Sequence, residues 1–142
     1  MELLLDTNIL LRVASGDLSN EALSYVSNPK NTMYFSMVSV WEVAMGLGDK
    51  VVNPRWFYDN LIERGFKKID IITENILLAD SLPPIHSDVF DRMLIIQMSA
   101  TDDLYILTTD EIMPKYSSRI IQVSKKHGEP EVRKKVAKMA RQ

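Results

Sequence analysis

The sequence contains no cysteine, two histidines and five glycines among its 142 residues, and these scarcities exclude several kinds of site. Without cysteine the chain has no disulfide, no thiolate metal ligand and no thiol nucleophile. Its glycines form neither a P-loop nor a dinucleotide-binding loop, because Gly46 and Gly48 lack a third glycine at the required spacing. A phosphoacceptor receiver domain is also disfavoured, since the first predicted strand ends in a single acid, Asp6.

Long apolar runs are absent as well. No hydrophobic run approaches the roughly 18 residues that a membrane-spanning helix needs. The first residues, MELLLDTNILLR, include early acids and lack the basic segment that opens a signal peptide. We therefore predict a cytoplasmic protein with no membrane segment.

The composition that remains is typical of one compact globular domain, with 46% hydrophobic and 25% charged residues. The net charge of −2 is unevenly distributed. Residues 1–124 contain 10 Lys and Arg against 17 Asp and Glu, whereas residues 125–142 contain 7 against 2. We predict a folded domain over 1–124 and a basic tail or helix over 125–142. The tail either contacts nucleic acid or an acidic partner, or is a solvated helix end.

Short apolar runs alternate with helical patterns along the whole domain. The runs predicted to be strands are ELLLD, TMYFSM, FKKIDII, LYILTTD and RIIQV, and helices with caps at Asn53, Thr73 and Asp88 are predicted between some of them. This alternation predicts an α/β fold, with a parallel sheet covered by helices on both faces. In such folds the ligand site lies at the carboxyl ends of the strands, where the strand order switches.

The segment PPIHSDVFDRMLIIQMSA places an acid where an apolar residue is expected. In a helix, Asp91 shares one face with Leu94, Ile95 and Met98. A pair with Arg92 is awkward, because adjacent helical residues point about 100° apart. The alternatives for Asp91 are such a pair, a cap within this segment, or a functional carboxylate on a buried face.

Three further acids lie in comparable places. Glu42 is the only charged residue between Met37 and Leu47, and a buried charge must be paired, protonated or bound to a cation. Its simple alternative is a salt bridge. Asp6 and Asp110 each follow an apolar strand, where an acid is commonly the cap of the next helix.

One hypothesis accounts for all of these acids. Two strand ends and two inward helix faces would bring Asp6, Glu42, Asp91 and Asp110 into one pocket, where their mutual repulsion favours a bound divalent cation. Oxygen ligands suit Mg²⁺ or Mn²⁺. Such a site is suited to the hydrolysis of a phosphodiester bond.

The same residues resemble a known family, the PIN-domain ribonucleases, and specifically the VapC-type toxins of type II toxin–antitoxin systems. The resemblance rests on LLLDTNILL, SVWEVAMGLG, LPPIHSDVFDRMLIIQ and LYILTTDEIMPKY, in that order, and it fades after about Val123. It implies a three-layer α/β/α fold with a parallel sheet of about five strands in the order 3-2-1-4-5.

The resemblance also implies a site and partners. Its catalytic and metal-binding residues would be Asp6, Glu42, Asp91 and Asp110, with Mg²⁺ or Mn²⁺ as cofactor, and Asn8 and Thr108 as supporting polar residues. A lone histidine before a helix, such as His86, is expected to be a structural hydrogen-bonding residue. The implied partners are an RNA substrate, a cognate antitoxin and a second copy of the chain. Two alternatives stay open: a catalytically silent binding module, and a nuclease that acts on DNA or flap structures.

Overall fold

The structure is a computed structural model, and it describes residues 1–125. Five strands lie within this range, and they form one parallel sheet: β1 (Glu2–Leu5), β2 (Thr32–Ser36), β3 (Lys67–Ile69), β4 (Leu104–Thr108) and β5 (Ile120–Gln122). Their order is β3-β2-β1-β4-β5. The predicted α/β fold and the predicted strand order are both confirmed.

The strand register places β1 at the centre of the sheet. Leu3 is paired with Met33 of β2 on one side and with Tyr105 of β4 on the other. The strand order therefore switches between β1 and β4, where the chain turns from building one half of the sheet to building the other. The carboxyl ends of these two strands lie side by side at this switch point.

Helices cover both faces of the sheet, which gives the predicted three layers. The α-helices of residues 1–125 are α1 (Thr7–Ser15), α2 (Asn20–Val26), α3 (Met37–Ala44), α4 (Pro54–Glu63), α5 (Thr73–Leu77) and α6 (Val89–Ser99). Single 3₁₀ turns follow at Ala79–Ser81 and Met113–Tyr116. None of the helices within residues 1–125 is long and apolar enough to cross a membrane.

Alternating side chains of the central strands divide the core in two. Leu3 and Leu5 point into the cluster beneath α1 and α4, whereas Leu4 points to the opposite face, against α6. Phe35 of β2 is fully buried in the first cluster. Its ring packs edge-to-face with that of Tyr58 from α4, with the ring centroids 5.9 Å apart. Strands buried on both faces explain why the sequence shows continuous apolar runs rather than alternation.

The second and third strands end earlier than predicted, for reasons of hydrogen bonding. The second strand ends at Ser36 rather than Met37, because the Ser36 side chain accepts from the backbone N–H of Val38 at 3.0 Å and caps α3. The third strand covers only Lys67–Ile69. It pairs with β2 alone, and its last partner is Ser36, so it ends where its neighbour turns into a helix.

The predicted Thr73 cap is wrong by one residue. Thr73 is the first residue of α5, and the Asn75 side chain reaches back to accept from the Ile72 backbone N–H at 3.1 Å. By contrast, the predicted caps Asn53 and Asp88 both accept from backbone N–H groups of the helices that they precede. The predicted basic tail or helix over 125–142 lies outside the described residues, apart from Lys125.

We expect Phe35→Ala to lower the free energy of unfolding by about 3–5 kcal/mol, because it leaves a cavity beneath β2. Val51, which is 81% exposed, offers a matched control, and Val51→Ala should change stability by less than about 0.5 kcal/mol. Urea unfolding measures both. Equal effects of the two substitutions would contradict the described core.

Candidate metal centre

Four acids of the described chain lie near the switch point at the carboxyl edge of the sheet, and the charges of the other three act on Asp91. Within residues 1–125, the group whose ligand atoms all lie within 4.8 Å of one another includes Asp91 and Asp110 but not Asp6 or Glu42. Asp6 directly follows β1, and Asp110 lies two residues beyond β4. Glu42 comes from α3 and Asp91 from the first turn of α6, the helices that follow β2 and precede β4. The predicted quartet therefore comes from four different elements.

Asp6 is buried and held on both of its carboxylate oxygens. Oδ1 accepts from the backbone N–H of Ile9 at 2.9 Å and so caps α1, while Oδ2 accepts from the Thr108 hydroxyl. Burial raises the pKa of Asp6 to about 6, against the opposing effect of these hydrogen bonds. The carboxylate of Asp6 therefore both caps α1 and belongs to the candidate site.

Asp110 combines the same two roles. Its Oδ2 accepts from the backbone N–H groups of Ile112 at 3.1 Å and Met113 at 2.7 Å, which fixes the start of the 3₁₀ turn. Its own backbone N–H donates to the Thr108 hydroxyl oxygen at 2.9 Å. Because the same hydroxyl donates to Asp6, Thr108 links the two strand-end acids.

Glu42 is buried, and its Oε1 has no hydrogen-bond partner among the described residues. Burial raises its pKa, and the charges of Asp88, Asp6 and Asp49 raise it further, whereas a hydrogen bond with the Thr7 hydroxyl lowers it. Thr7 is positioned in turn by Ser39, since their hydroxyl oxygens lie 2.9 Å apart.

The salt-bridge alternative for Glu42 fails within residues 1–125, where no lysine or arginine forms an ion pair with any acid of the quartet. Arg92 is engaged elsewhere. Its guanidinium donates to the carbonyl oxygens of Leu82, Pro83 and His86 at 3.0–3.3 Å and so fastens the loop before α6.

Asp91 has the most perturbed environment of the four. Burial raises its pKa to about 8, and the neighbouring charges of Asp88, Asp6, Glu42 and Asp110 contribute to that shift. All three other predicted acids therefore act on Asp91. Asp91, the acid on the apolar face of α6, is therefore exposed to the electrostatic field of the other acids.

His86 lies inside the site, which the sequence analysis did not expect. Its Nε2 is 3.0 Å from Asp91 Oδ2 and 3.1 Å from Asp110 Oδ2, and ligand atoms of the three residues all lie within 4.8 Å of one another. One signal in the sequence could have indicated this position. His86 lies two residues before the helix cap Asp88, so its imidazole must lie close to the first turn of α6. Asp88, predicted only as a cap, is also the acid whose charge raises the pKa of Asp91 most.

The two predicted supporting residues have different surroundings. Thr108 contacts two acids of the quartet, as described above. Asn8 instead accepts from the backbone N–H of Asp49 at 3.0 Å and holds the loop that follows α3. Gly48 allows this close approach, because a Cβ there would lie 2.6 Å from the Leu11 side chain.

The chemistry of this donor set fits a hard divalent cation. The site offers carboxylate oxygens from four elements, one of them the unpartnered buried Oε1 of Glu42. Carboxyl groups that are buried together repel one another once ionised, and a divalent cation offsets that repulsion. Mg²⁺ and Mn²⁺ are the ions that such oxygen sites prefer.

Comparison with known proteins agrees with this description. The family model described as "PIN domain" matches residues 3–118. No match was found among the sequences of curated proteins.

Two solved structures share the fold at low sequence identity. One is VapBC2 from Rickettsia felis bound to a DNA fragment from their promoter, with 15% identity, a TM-score of 0.57, and coverage of 87% of this chain and 98% of that chain. The other is a toxin–antitoxin complex from Klebsiella pneumoniae, with 18% identity, a TM-score of 0.57, and coverage of 84% and 96%. Together with the family match over residues 3–118, the sheet order and the acids at its carboxyl edge, they lead to one conclusion: the chain belongs to the PIN domain family.

Proposed function

We propose that this protein is a Mg²⁺- or Mn²⁺-dependent endoribonuclease that hydrolyses RNA phosphodiester bonds, and that it is the toxin of a toxin–antitoxin pair. The observation that carries the proposal is the convergence of Asp6, Glu42, Asp91 and Asp110 at the switch point of a PIN-domain sheet. We assign metal binding and catalysis to these four residues. Thr108 supports them by linking Asp6 to Asp110, and Asn8 supports them by holding the loop after α3.

The bound cation would supply Lewis-acid chemistry, by drawing charge from a phosphate oxygen and lowering the pKa of a water molecule. The protein's own contribution is arrangement. Backbone N–H groups and the Thr108 hydroxyl fix Asp6 and Asp110, so these acids need no reorganisation when the cation and the phosphate arrive. Glu42 contributes a buried Oε1 without a hydrogen-bond partner among the described residues, and its charge is among those that raise the pKa of Asp91.

An exposed apolar surface beside the acids supports an antitoxin partner. Trp41 of α3 is 51% exposed, and its ring packs edge-to-face with that of Phe90, with the ring centroids 4.7 Å apart. Met45, four residues after Trp41, and Val89, next to Phe90, are also exposed. This surface adjoins the acids of the same two helices. A partner segment with apolar side chains and a cationic group would fit both features, and the two similar structures are themselves toxin–antitoxin complexes.

A second apolar surface supports the proposed homodimer. It lies on and after α5, and its exposed side chains are Ile72, Ile76, Leu77 and Leu78. Large apolar residues that are contiguous and exposed are typical of a protein–protein interface. The cytoplasmic location expected from the sequence remains part of this proposal.

We expect Asp6→Asn and Asp91→Asn each to reduce RNA cleavage by at least about a hundredfold, because each removes a charged group that acts on the reacting phosphate through the cation. Asp59→Asn is the matched control, since Asp59 lies in an exposed pair with Arg55 on α4. Cleavage of a mixed RNA pool, with Mn²⁺ or EDTA, measures the effect, and circular dichroism confirms that the variants are folded.

Four outcomes would count against the proposal, two in this assay and two in parallel experiments with DNA substrates and an antitoxin. Wild-type cleavage in EDTA, or an active Asp6→Asn/Asp91→Asn double variant, would contradict the assignment of metal-dependent catalysis to the four acids. Cleavage of single-stranded or flap DNA in preference to RNA would change the substrate class. A folded wild type that cuts neither, yet binds an antitoxin, would establish the silent binding module.

The metal-free protein should lose stability as the pH rises between about 4 and about 8. The pKa of Asp6 is raised to about 6 and that of Asp91 to about 8, so across this range the folded protein retains protons that the unfolded chain releases. Asp91→Asn should therefore make the fall in melting temperature shallower, and added Mn²⁺ should restore the wild type. Melting curves recorded in EDTA at several pH values measure this effect. If the melting temperature of both proteins fell equally with pH, the raised pKa of Asp91 would be contradicted.

The tail can be tested in the full-length chain. If it contacts RNA phosphates, Lys134→Gln with Lys135→Gln should lower the slope of log affinity against log salt concentration by about 1–2. Lys67→Gln with Lys68→Gln is the matched control on β3, which lies at the sheet edge away from the switch point. Binding of the Asp6→Asn protein to labelled RNA measures the slope without cleavage. An unchanged slope would show that these two lysines of the tail do not contact RNA phosphates.

A further inference from the structure

His86 is held in one orientation by contacts that do not involve the acids. The residue is buried just before α6. Its backbone N–H donates to the Tyr116 hydroxyl at 2.6 Å, and its carbonyl accepts from Arg92 at 3.3 Å. Tyr116 is itself anchored, because its hydroxyl donates to the Pro83 carbonyl at 2.7 Å. These contacts fix the backbone of His86, and burial together with the contact between the Asp88 backbone N–H and Nδ1 fixes the imidazole.

One of these local contacts identifies the ring tautomer. The backbone N–H of Asp88 donates to His86 Nδ1 at 3.1 Å. Peptide geometry fixes the position of the amide hydrogen, so Nδ1 must present its lone pair. A neutral imidazole that accepts at Nδ1 has its proton on Nε2.

The Nε2–H group then lies between two acids of the proposed site. The Nε2 nitrogen forms a hydrogen bond with Asp110 Oδ2 at 3.1 Å, and Asp91 Oδ2 is in close contact with it at 3.0 Å. Asp91 belongs to α6 and Asp110 follows β4, so this single donor connects two elements of the fold. The hydrogen bond to Asp110 and the close contact with Asp91 place one polarised N–H group beside both carboxylates, which offsets part of their repulsion.

The same tautomer is incompatible with direct metal binding at Nε2. Ligation needs a lone pair on Nε2, which would move the proton to Nδ1. The proton on Nδ1 would then face the Asp88 N–H, and two donors would oppose each other at a site that is buried. The ring would have to leave its place, against the contacts that hold the residue.

We propose that His86 is a positioning residue: its Nε2–H group holds the carboxylates of Asp91 and Asp110 in one arrangement, and it is not a ligand of the cation. This inference rests on the proposed function, because it assigns His86 a role beside the metal-binding acids. It differs from a purely structural role, which would end at the contacts with Tyr116, Arg92 and Asp88.

Two substitutions separate these roles. His86→Asn keeps an acceptor near the Nδ1 position for the Asp88 N–H, but its side chain is too short to reach both carboxylates. His86→Gln places an amide N–H group near the Nε2 position and so keeps the donor. We expect His86→Asn to weaken Mn²⁺ binding by about tenfold or more and His86→Gln to stay within about threefold of the wild type. Calorimetric titration measures the affinities.

Two spectroscopic measurements on the wild type do not depend on the variants folding. In metal-free protein, ¹⁵N spectra should show the His86 proton on Nε2. The only other histidine, His127, is identified by His127→Gln. In Mn²⁺-loaded protein, electron spin echo measurements should show no directly bonded nitrogen.

Each outcome bears on the inference. A proton on Nδ1, a directly bonded nitrogen, or a His86→Gln variant as weak as His86→Asn would overturn it while leaving the proposed nuclease in place. A wild type that binds no Mn²⁺ would overturn the proposed function and the positioning role together. The expected pair of affinities, with an Nε2 proton, would support both.

Discussion

The arrangement of this protein depends on one electrostatic constraint: several carboxyl groups lie near one another at the edge of the sheet, and two of them, Asp6 and Glu42, are buried. Within residues 1–125, no lysine or arginine pairs with Asp6, Glu42, Asp91 or Asp110. Burial and the charges of the neighbouring acids both oppose the ionisation of Asp91, which is why its pKa rises to about 8. The surrounding hydrogen bonds reduce this cost but do not remove it. A divalent cation would offset this cost, and the proposed activity rests on that physical argument.

In this fold, the acids that accept the backbone N–H groups at the start of a helical turn are also acids of the candidate site or its immediate neighbours. A parallel strand that feeds a helix puts the cap residue at the carboxyl end of the strand, which is also where the ligand site lies. Asp6 and Asp110 each accept backbone N–H groups from the turn that follows, and they still face the pocket. Asp88 does the same at the start of α6, where its charge acts on Asp91. The N–H groups of each first turn hold a carboxylate in place and partly stabilise its charge.

Local apolar patterns predicted the strands, whereas their order was implied by the resemblance to the PIN-domain family. The four acids stood out as a candidate site because each lies at a strand end or on an apolar helix face. An acid on the apolar face of a helix, as at Asp91, is improbable unless something specific faces it, and Glu42 gives the same signal. The role of His86 escaped this reasoning. Its position relative to Asp110 results from packing between elements 24 residues apart, and a lone histidine before a helix has no pattern that reveals it. The single-residue shift at Thr73 has a similar cause, since Asn75 supplied the cap from inside the helix.

The sequence by itself determined which residue types were available: hard oxygen donors, no thiolates, and apolar strands that must be covered on both faces. Those features follow from composition and periodicity, which are local properties of the chain. Only the tertiary structure decided how the donors combine. It placed the Thr108 hydroxyl between Asp6 and Asp110, directed Arg92 to backbone carbonyls, and set one imidazole N–H between two carboxylates. Those relations depend on the register of β1 against β4 and on the packing of α6, which no local pattern specifies.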